Sequence, residues 1–366
     1  MITLIDRPSY LFFVFIAVIP SCVSKNSGEV LSNFEVLERI DRHVESFSSS
    51  IITAQGDIIY PRRIKQPIIR LNVKTGEVFN IGNIGSAPGE YNIVAWISEY
   101  KGDIYLADKT TGRLLMFSLS GSFKEEVGVY NILTKFTFLN DSLLFTLNPT
   151  VEKGIFLSYN IRQKKKSLEF GSSIEYPLAR YKTRLSRKGR HTPYVTEWDT
   201  KDSILIYYDY YRDRLHVYNL LNGKQIRIFG REHNGWSIPR PFVFKGDEYH
   251  RRSWMLPFTP CRGLQITDKY IYIVFYKSWL NGWRNKGFGD DFVLVDVYAR
   301  DDFSYVGSFF PFKESDHNYQ GNKLRLDWVA VEDDSILNFY MIDIKNGNAF
   351  RKIKIKFKGV SLHPGP

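Results

Sequence analysis

The chain has 366 residues, of which 43% are hydrophobic and 16% aromatic, with a formal net charge of +11. That length holds one large domain or two ordinary ones, the apolar content supports a sizeable core, and the charge favours acidic partners. Two cysteines, Cys22 and Cys261, exclude a disulfide framework.

In chain order, Arg7 precedes an apolar run over Leu11–Ile19. The run is too short for a bilayer-spanning helix, which takes about 20 residues, so residues 1–22 read as an export signal. Its end, Ile19-Pro20-Ser21-Cys22, resembles a bacterial lipobox, in which the cysteine is lipidated after cleavage. Pro20 and Asp6 depart from that pattern, and an ordinary cleaved signal is the alternative. The lipobox reading places the protein in the cell envelope as a periplasmic or outer-membrane lipoprotein, held to the membrane by its lipid alone. Residues 23–33 are Ser-, Asn- and Gly-rich and read as a flexible tether. Cys261 reads as a buried small hydrophobe.

From residue 34 to 366 the pattern is repetitive. An Asp before a short apolar strand recurs six times, at Asp57, Asp103, Asp141, Asp202, Asp268 and Asp334. An apolar strand precedes each Asp, and in the first five units a third strand follows: Ile68–Val73, Leu114–Leu119, Ile155–Ile161, Leu215–Leu220 and Phe292–Tyr298. Tight turns such as Lys74-Thr75-Gly76, Ser120-Gly121 and Leu221-Asn222-Gly223 lead to a fourth. No stretch keeps a helical period. The expected fold is therefore all-β, a six-bladed β-propeller of four-stranded antiparallel blades. A sandwich would leave six similar units unexplained.

Between the first two units lies Gly82-Asn83-Ile84-Gly85-Ser86-Ala87-Pro88-Gly89-Glu90-Tyr91. This run resembles one found in the six-bladed β-propeller lipoproteins of Bacteroidota, related in shape to NHL and TolB-like propellers. Ala87 stands where that family often has Gly. The resemblance covers roughly residues 34–360 and is clearest in the first two units. Independently of it, Pro88-Gly89 fits the corners of a type II turn, so the motif reads as structural and Glu90 as a turn residue rather than a catalytic one.

The sixth unit is compressed, which leaves two readings. Ala349–Phe357 is either its fourth strand or its third, with Phe34–Ile40 closing the ring from outside. Lys352, Lys354, Lys356 and Lys358 suit an exposed edge and favour the first reading. The resemblance implies the second, which is the expectation adopted.

Strand alternation assigns the connections to two ends of the disc. First-to-second and third-to-fourth turns share one end; second-to-third and blade-to-blade connections share the other. All the long insertions, Ser172–Pro193, Arg231–Pro260, Lys277–Asp291 and Lys313–Lys323, belong to the second class. Long loops on a rigid scaffold are where function collects. Arg162 to His191 holds ten Lys and Arg against two Glu, and four of the seven Trp lie in the insertions.

Arginine suits carboxylate or sulfate, and indole faces suit sugar rings. The expected ligand-binding residues are Arg180, Arg184, Trp236, Arg252, Trp254, Trp279 and Arg284. A solvated basic loop with Trp packed on the disc is the plain alternative. No cofactor is indicated and no metal-ligand spacing is present; Asp290-Asp291 beside Gly287 and Gly289 is a weak calcium pattern. Nucleic acid fits the charge but not an exported address.

Two classes of function remain. One is a non-catalytic binding or scaffold module, with an acidic polysaccharide or an envelope protein as partner. The other is an enzyme on the same face, a polysaccharide lyase or a lactonase-like hydrolase. A lyase needs a base and a cation near the leaving proton, and Tyr249, His250, Arg251 and Arg252 form the compact cluster offering them. The binding module is the reading preferred.

Overall fold

Short strands joined by tight turns pair with their neighbours in antiparallel fashion, because a two- or three-residue turn cannot join parallel partners. The computed structural model describes residues 34–43, 51–53, 55–61, 67–130, 132, 134–147, 155–171, 197–209, 214–231, 261–276, 293–312, 318–319, 322–343 and 349–358. Within them there is no helix, and the strands form a six-bladed propeller of antiparallel sheets.

Blade one is Ile51–Ile52, Ile58–Pro61, Ile68–Leu71 and Val78–Ile81, counted from the centre outward. Blade two is Val94–Tyr100, Asp103–Asp108, Arg113–Ser118 and Phe123–Val129. Blade three is Phe136–Asn140, Leu143–Leu147, Phe156–Asn160 and Lys165–Phe170. Blade four is Trp198–Lys201, Ile204–Asp209, Arg214–Asn219 and Gln225–Phe229. Blade five is Cys261–Ile266, Tyr270–Tyr276, Val293–Ala299 and Tyr305–Phe309. Blade six runs Asn322–Val331, Ile336–Asp343, Ala349–Phe357, and then Phe34–His43 from the other end of the chain.

The core is divided among the six interfaces between blades. Successive residues of a strand point to opposite sheet faces, so each blade feeds both neighbours. In blade four, Leu205 and Tyr207 pack toward blade three, while Ile206 and Tyr208 pack toward blade five. In blade five, Ile271 and Ile273 face blade four, and Tyr272 and Val274 face blade six. Strands buried on both faces lose the alternating pattern, which explains runs such as Tyr270–Tyr276, YIYIVFY. Cys261 is buried, as expected.

The N-terminal strand closes the ring. Phe34 sits opposite Phe357 and His43 opposite Ala349. The edge-strand reading of the lysines is thereby overturned: Ala349–Phe357 is the third strand, and its cations meet an acidic closing strand. Arg351, 5% exposed, bonds Asp41 at 2.6 and 3.0 Å. Lys352 approaches Glu38 and Lys358 approaches Glu35. Alternating charge here records complementarity across the closure rather than protection of an open edge.

The recurring Asp has a structural cause. It sits at the first-to-second turn, and at Asp141, Asp202, Asp268 and Asp334 it reaches an adjacent blade. Lys101 of blade two donates to Asp141 of blade three at 2.7 Å. Lys201 of blade four pairs with Asp268 of blade five at 2.6 Å, and the Lys269 amide donates to Asp334 of blade six at 2.9 Å. In blade one, Arg70 bonds Asp57 at 2.7 Å and the Leu119 carbonyl of blade two at 2.6 Å.

The glycine-rich motif bolts blade one to blade two. The Glu90 amide donates to the Ala87 carbonyl at 3.0 Å, and Gly89 has φ 79°, as a type II turn requires. A Cβ at Gly89 would lie 2.7 Å from the Phe123 ring, so space and conformation both demand glycine. The Glu90 carboxylate accepts from the Ala87 amide at 2.9 Å, a turn-holding role. Tyr91, 1% exposed, donates its hydroxyl to the Ile81 carbonyl at 2.5 Å and accepts from the Ile68 amide at 2.7 Å.

Candidate functional site

Second strands run outward to the same end of the disc at which third strands begin, and first strands begin there after the preceding blade's fourth strand has ended. The strand order therefore assigns residues 44–50, 62–66, 148–154, 172–196, 210–213, 232–260, 277–292, 313–317 and 344–348 to connections of this one class. Together these connections contain 20 Lys and Arg against 11 Asp and Glu, nine of the chain's eleven net positive charges. The charge excess thus falls in connections of one class, and the end of the disc from which they leave is here called the connection face.

The basic stretch from Arg162 to His191 does not act as one unit. Arg162 and Lys164 lie in the third-to-fourth turn of blade three, and Lys165 and Lys166 begin its outer strand, at the opposite end from the connection face. Only the part beyond Gly171 belongs to the connection. Arg180, Arg184, Trp236, Arg252, Trp254, Trp279 and Arg284 lie outside the described residues, as do Tyr249, His250, Arg251, Asp290, Asp291 and Cys22.

What is described is the rim from which those connections leave, and it carries buried polar nodes. In blade two, Asp108 closes the second-to-third turn. It accepts from the Thr110 amide at 2.9 Å, the Thr111 hydroxyl at 2.8 Å and the Ile93 amide at 3.4 Å. Burial alone would raise its pKa, but these hydrogen bonds outweigh it and hold the carboxyl below its ordinary value. The buried Tyr130 nearby has its phenol pushed up by desolvation.

In blade four, Asp209 ends the second strand and faces His216 on the third, Oδ2 to Nε2 at 3.5 Å. Both are buried, His216 stacks on Tyr207 at 4.9 Å, and neither imidazole nitrogen makes a hydrogen bond. Between blades three and four, Lys135 donates to the Trp198 carbonyl and lies 4.9 Å from the Trp198 ring centre. Asp199, on the inner strand of blade four, accepts from the Ile266 amide of blade five at 2.8 Å. Burial raises its pKa.

The largest node anchors the exit of blade four. Arg231, two residues beyond the end of its outer strand, grips Asp296 of blade five with two hydrogen bonds of 2.8 Å. Ser308 donates to the same carboxylate, and the Arg231 amide donates to the Tyr298 hydroxyl at 3.1 Å. Burial would lower the arginine's pKa, but the Asp296 bonds prevail and raise it. Sequence reasoning missed this node, although a readable signal existed: one Asp in the buried run VLVDVYA.

These groups position the connections. Asp108 and Asp296 are held by donors of the scaffold, so neither is an exposed acid or base available to a substrate. Among the described residues, no group of three His, Cys, Asp or Glu side chains could hold a metal ion, and no helix is long and apolar enough to cross a membrane.

No family model matches the chain, and no curated protein does. Among solved structures it is similar to a DUF4221 family member from Bacteroides vulgatus, at 13% identity and a TM-score of 0.58, covering 90% of this chain and 99% of that one. It is also similar to a protein from Bacteroides fragilis described as exported, at 11% identity and a TM-score of 0.53, covering 89% and 96%. At these identities the likeness establishes a shared fold: this chain is a six-bladed β-propeller of the same architecture.

Proposed function

We propose that the protein is an exported, lipid-anchored propeller that binds an acidic polysaccharide on its connection face and performs no chemistry there. One observation carries the reading: nine of eleven net charges belong to connections that the strand order assigns to one end of the disc. A polyanion meets such an end as a single positive field. The apolar run before Cys22, and the description of a structural neighbour as exported, support the address.

The closure adds an orientation. The closing strand enters at the turn end, since Phe34 pairs with Phe357, and runs toward the connection face. A lipid on Cys22, twelve residues before Phe34, therefore joins the disc at its turn end, the end opposite the connection face. Cys22→Ala should release the protein from the membrane fraction; absence of labelled fatty acid from the wild type would end the anchor.

The binding test is equilibrium affinity for uronate-rich, sulfated and neutral polysaccharides at two salt concentrations. Binding should be confined to acidic polymers and weaken with salt, because exposed charges are screened over ~10 Å at 0.1 M. Trp254→Ala should cost more affinity than Arg180→Ala, since an aromatic anchor outweighs one exposed charge. Negligible retention by every polymer would refute the reading. Release of an unsaturated, ultraviolet-absorbing product would replace it with the lyase.

A further inference from the structure

A groove of about 650 Å³ opens between blades six and one, at the turn end of the disc. Asn338, Tyr340, Lys352 and Lys354 of blade six line it. Glu38 of the closing strand and the Gln55-Gly56-Asp57 turn of blade one also line it. The volume is that of a small-molecule site, within the usual range of ~300–1,000 Å³.

Two polar residues of low exposure line it, and one of them has hydrogen-bonding capacity left over. Asn338 is 5% exposed, and its Oδ1 has no hydrogen-bond partner. Lys352 is 8% exposed, and its ammonium lies 3.6 Å from Glu38, an ion pair too long for a hydrogen bond. Buried polar groups are nearly always satisfied, so a wall carrying an open buried acceptor, with an ammonium also in the lining, is fitted for a ligand.

The charges narrow the class. Asp57 is already paired with Arg70, Glu332 with Lys354, and Glu38 with Lys352. The three carboxylates are thus balanced, so a cationic ligand would find no uncompensated carboxylate, and Lys74 is the remaining charged residue of the lining. Adjacent hydroxyls of a sugar both donate and accept, which suits the open Asn338 acceptor and the Lys352 ammonium of the same lining. We infer that the groove is a binding site for a neutral mono- or disaccharide, separate from the polyanion site on the other end. A sugar there would touch the closing strand and blade one together, so occupancy would also hold the ring shut.

The experiment is calorimetric titration of the full chain with glucose, galactose, mannose, N-acetylglucosamine, maltose and lactose, with glycine and glutamate as ionic probes. At least one saccharide should bind saturably and raise the melting temperature. Asn338→Leu and Lys352→Met should each weaken it about tenfold, as loss of a buried hydrogen bond does, while acidic-polysaccharide retention stays unchanged. A crystal soaked with the tightest binder should show it against Asn338 and Lys352, a readout that stands even if either variant misfolds. Binding of none of the saccharides, binding of the amino acids in their place, or a soaked sugar seated elsewhere would overturn the inference.

Discussion

Removing one oxygen from Tyr91 tests whether the glycine-rich motif is a structural bolt. Tyr91→Phe keeps the buried ring but deletes the hydroxyl that bridges the Ile68 amide and the Ile81 carbonyl, residues facing each other at the edge of blade one. Two buried backbone groups lose their partner, each at a cost of about 1–3 kcal/mol. Direct closure of the Ile68–Ile81 pair recovers part of this, so the expected loss is about 2–3 kcal/mol. For a chain of this size that is roughly 3–5 °C in melting temperature. Desolvation pushes the Tyr91 phenol up to about 12 from its ordinary 10.0. A raised folded-state pKa contributes stability that is complete below about pH 10 and lost as pH rises through about 12. Tyr91→Phe should therefore show a smaller alkaline loss than the wild type. The assay is thermal and urea unfolding at neutral pH and across that alkaline window. Equal melting of the two proteins with identical alkaline profiles would refute the bolt.

Two further outcomes concern the closure and its neighbourhood. Asp41→Ala should destabilise by about 2 kcal/mol in urea unfolding, because the buried Arg351 loses a bidentate partner; Asp41 is itself partly exposed, which keeps the loss below that of a fully buried pair. An unchanged midpoint would show that the closing strand is held by its backbone alone. The Glu332 carboxyl is held below its ordinary 4.5, chiefly by the hydrogen bond from Lys354. A depressed carboxylate contributes stability above its unfolded pKa and loses it as pH falls through the folded value. The pair is half exposed, so Lys354→Met should cost under about 1 kcal/mol at pH 7 and nothing at pH 2. A deficit that persists at pH 2 would contradict that sign.

The blade count was readable because every unit repeats an Asp at one turn, and in four of the six the structure gives a reason: the Asp meets a neighbouring blade, as Lys101–Asp141 and Lys201–Asp268 show. The closing strand was harder to read. Lys352, Lys354 and Lys356 look the same on an open edge as on a strand facing Glu35, Glu38 and Asp41, and only the pairing register distinguishes them. Tyr91 was visible in the motif, but its two hydrogen bonds join residues 10 and 23 positions away and left no local pattern. Asp296 and Arg231 are 65 residues apart, so the node escaped notice even though an Asp amid buried valines signalled a partner. Asn338 and Lys352 carry no motif at all. Their neighbourhood exists because blade six is completed by the start of the chain.

The central claim is that a polyanion binds the connection face, and hydrogen exchange with and without polygalacturonate tests it most directly. Protection is predicted in residues 172–196, 232–260 and 277–292, and at the rim strand ends near Arg113, Arg214 and Arg231. The turns at Lys101-Gly102, Lys201-Asp202 and Asp268-Lys269 should exchange unchanged. Protection concentrated at those turns, or absent everywhere while the polymer is bound, would contradict the account.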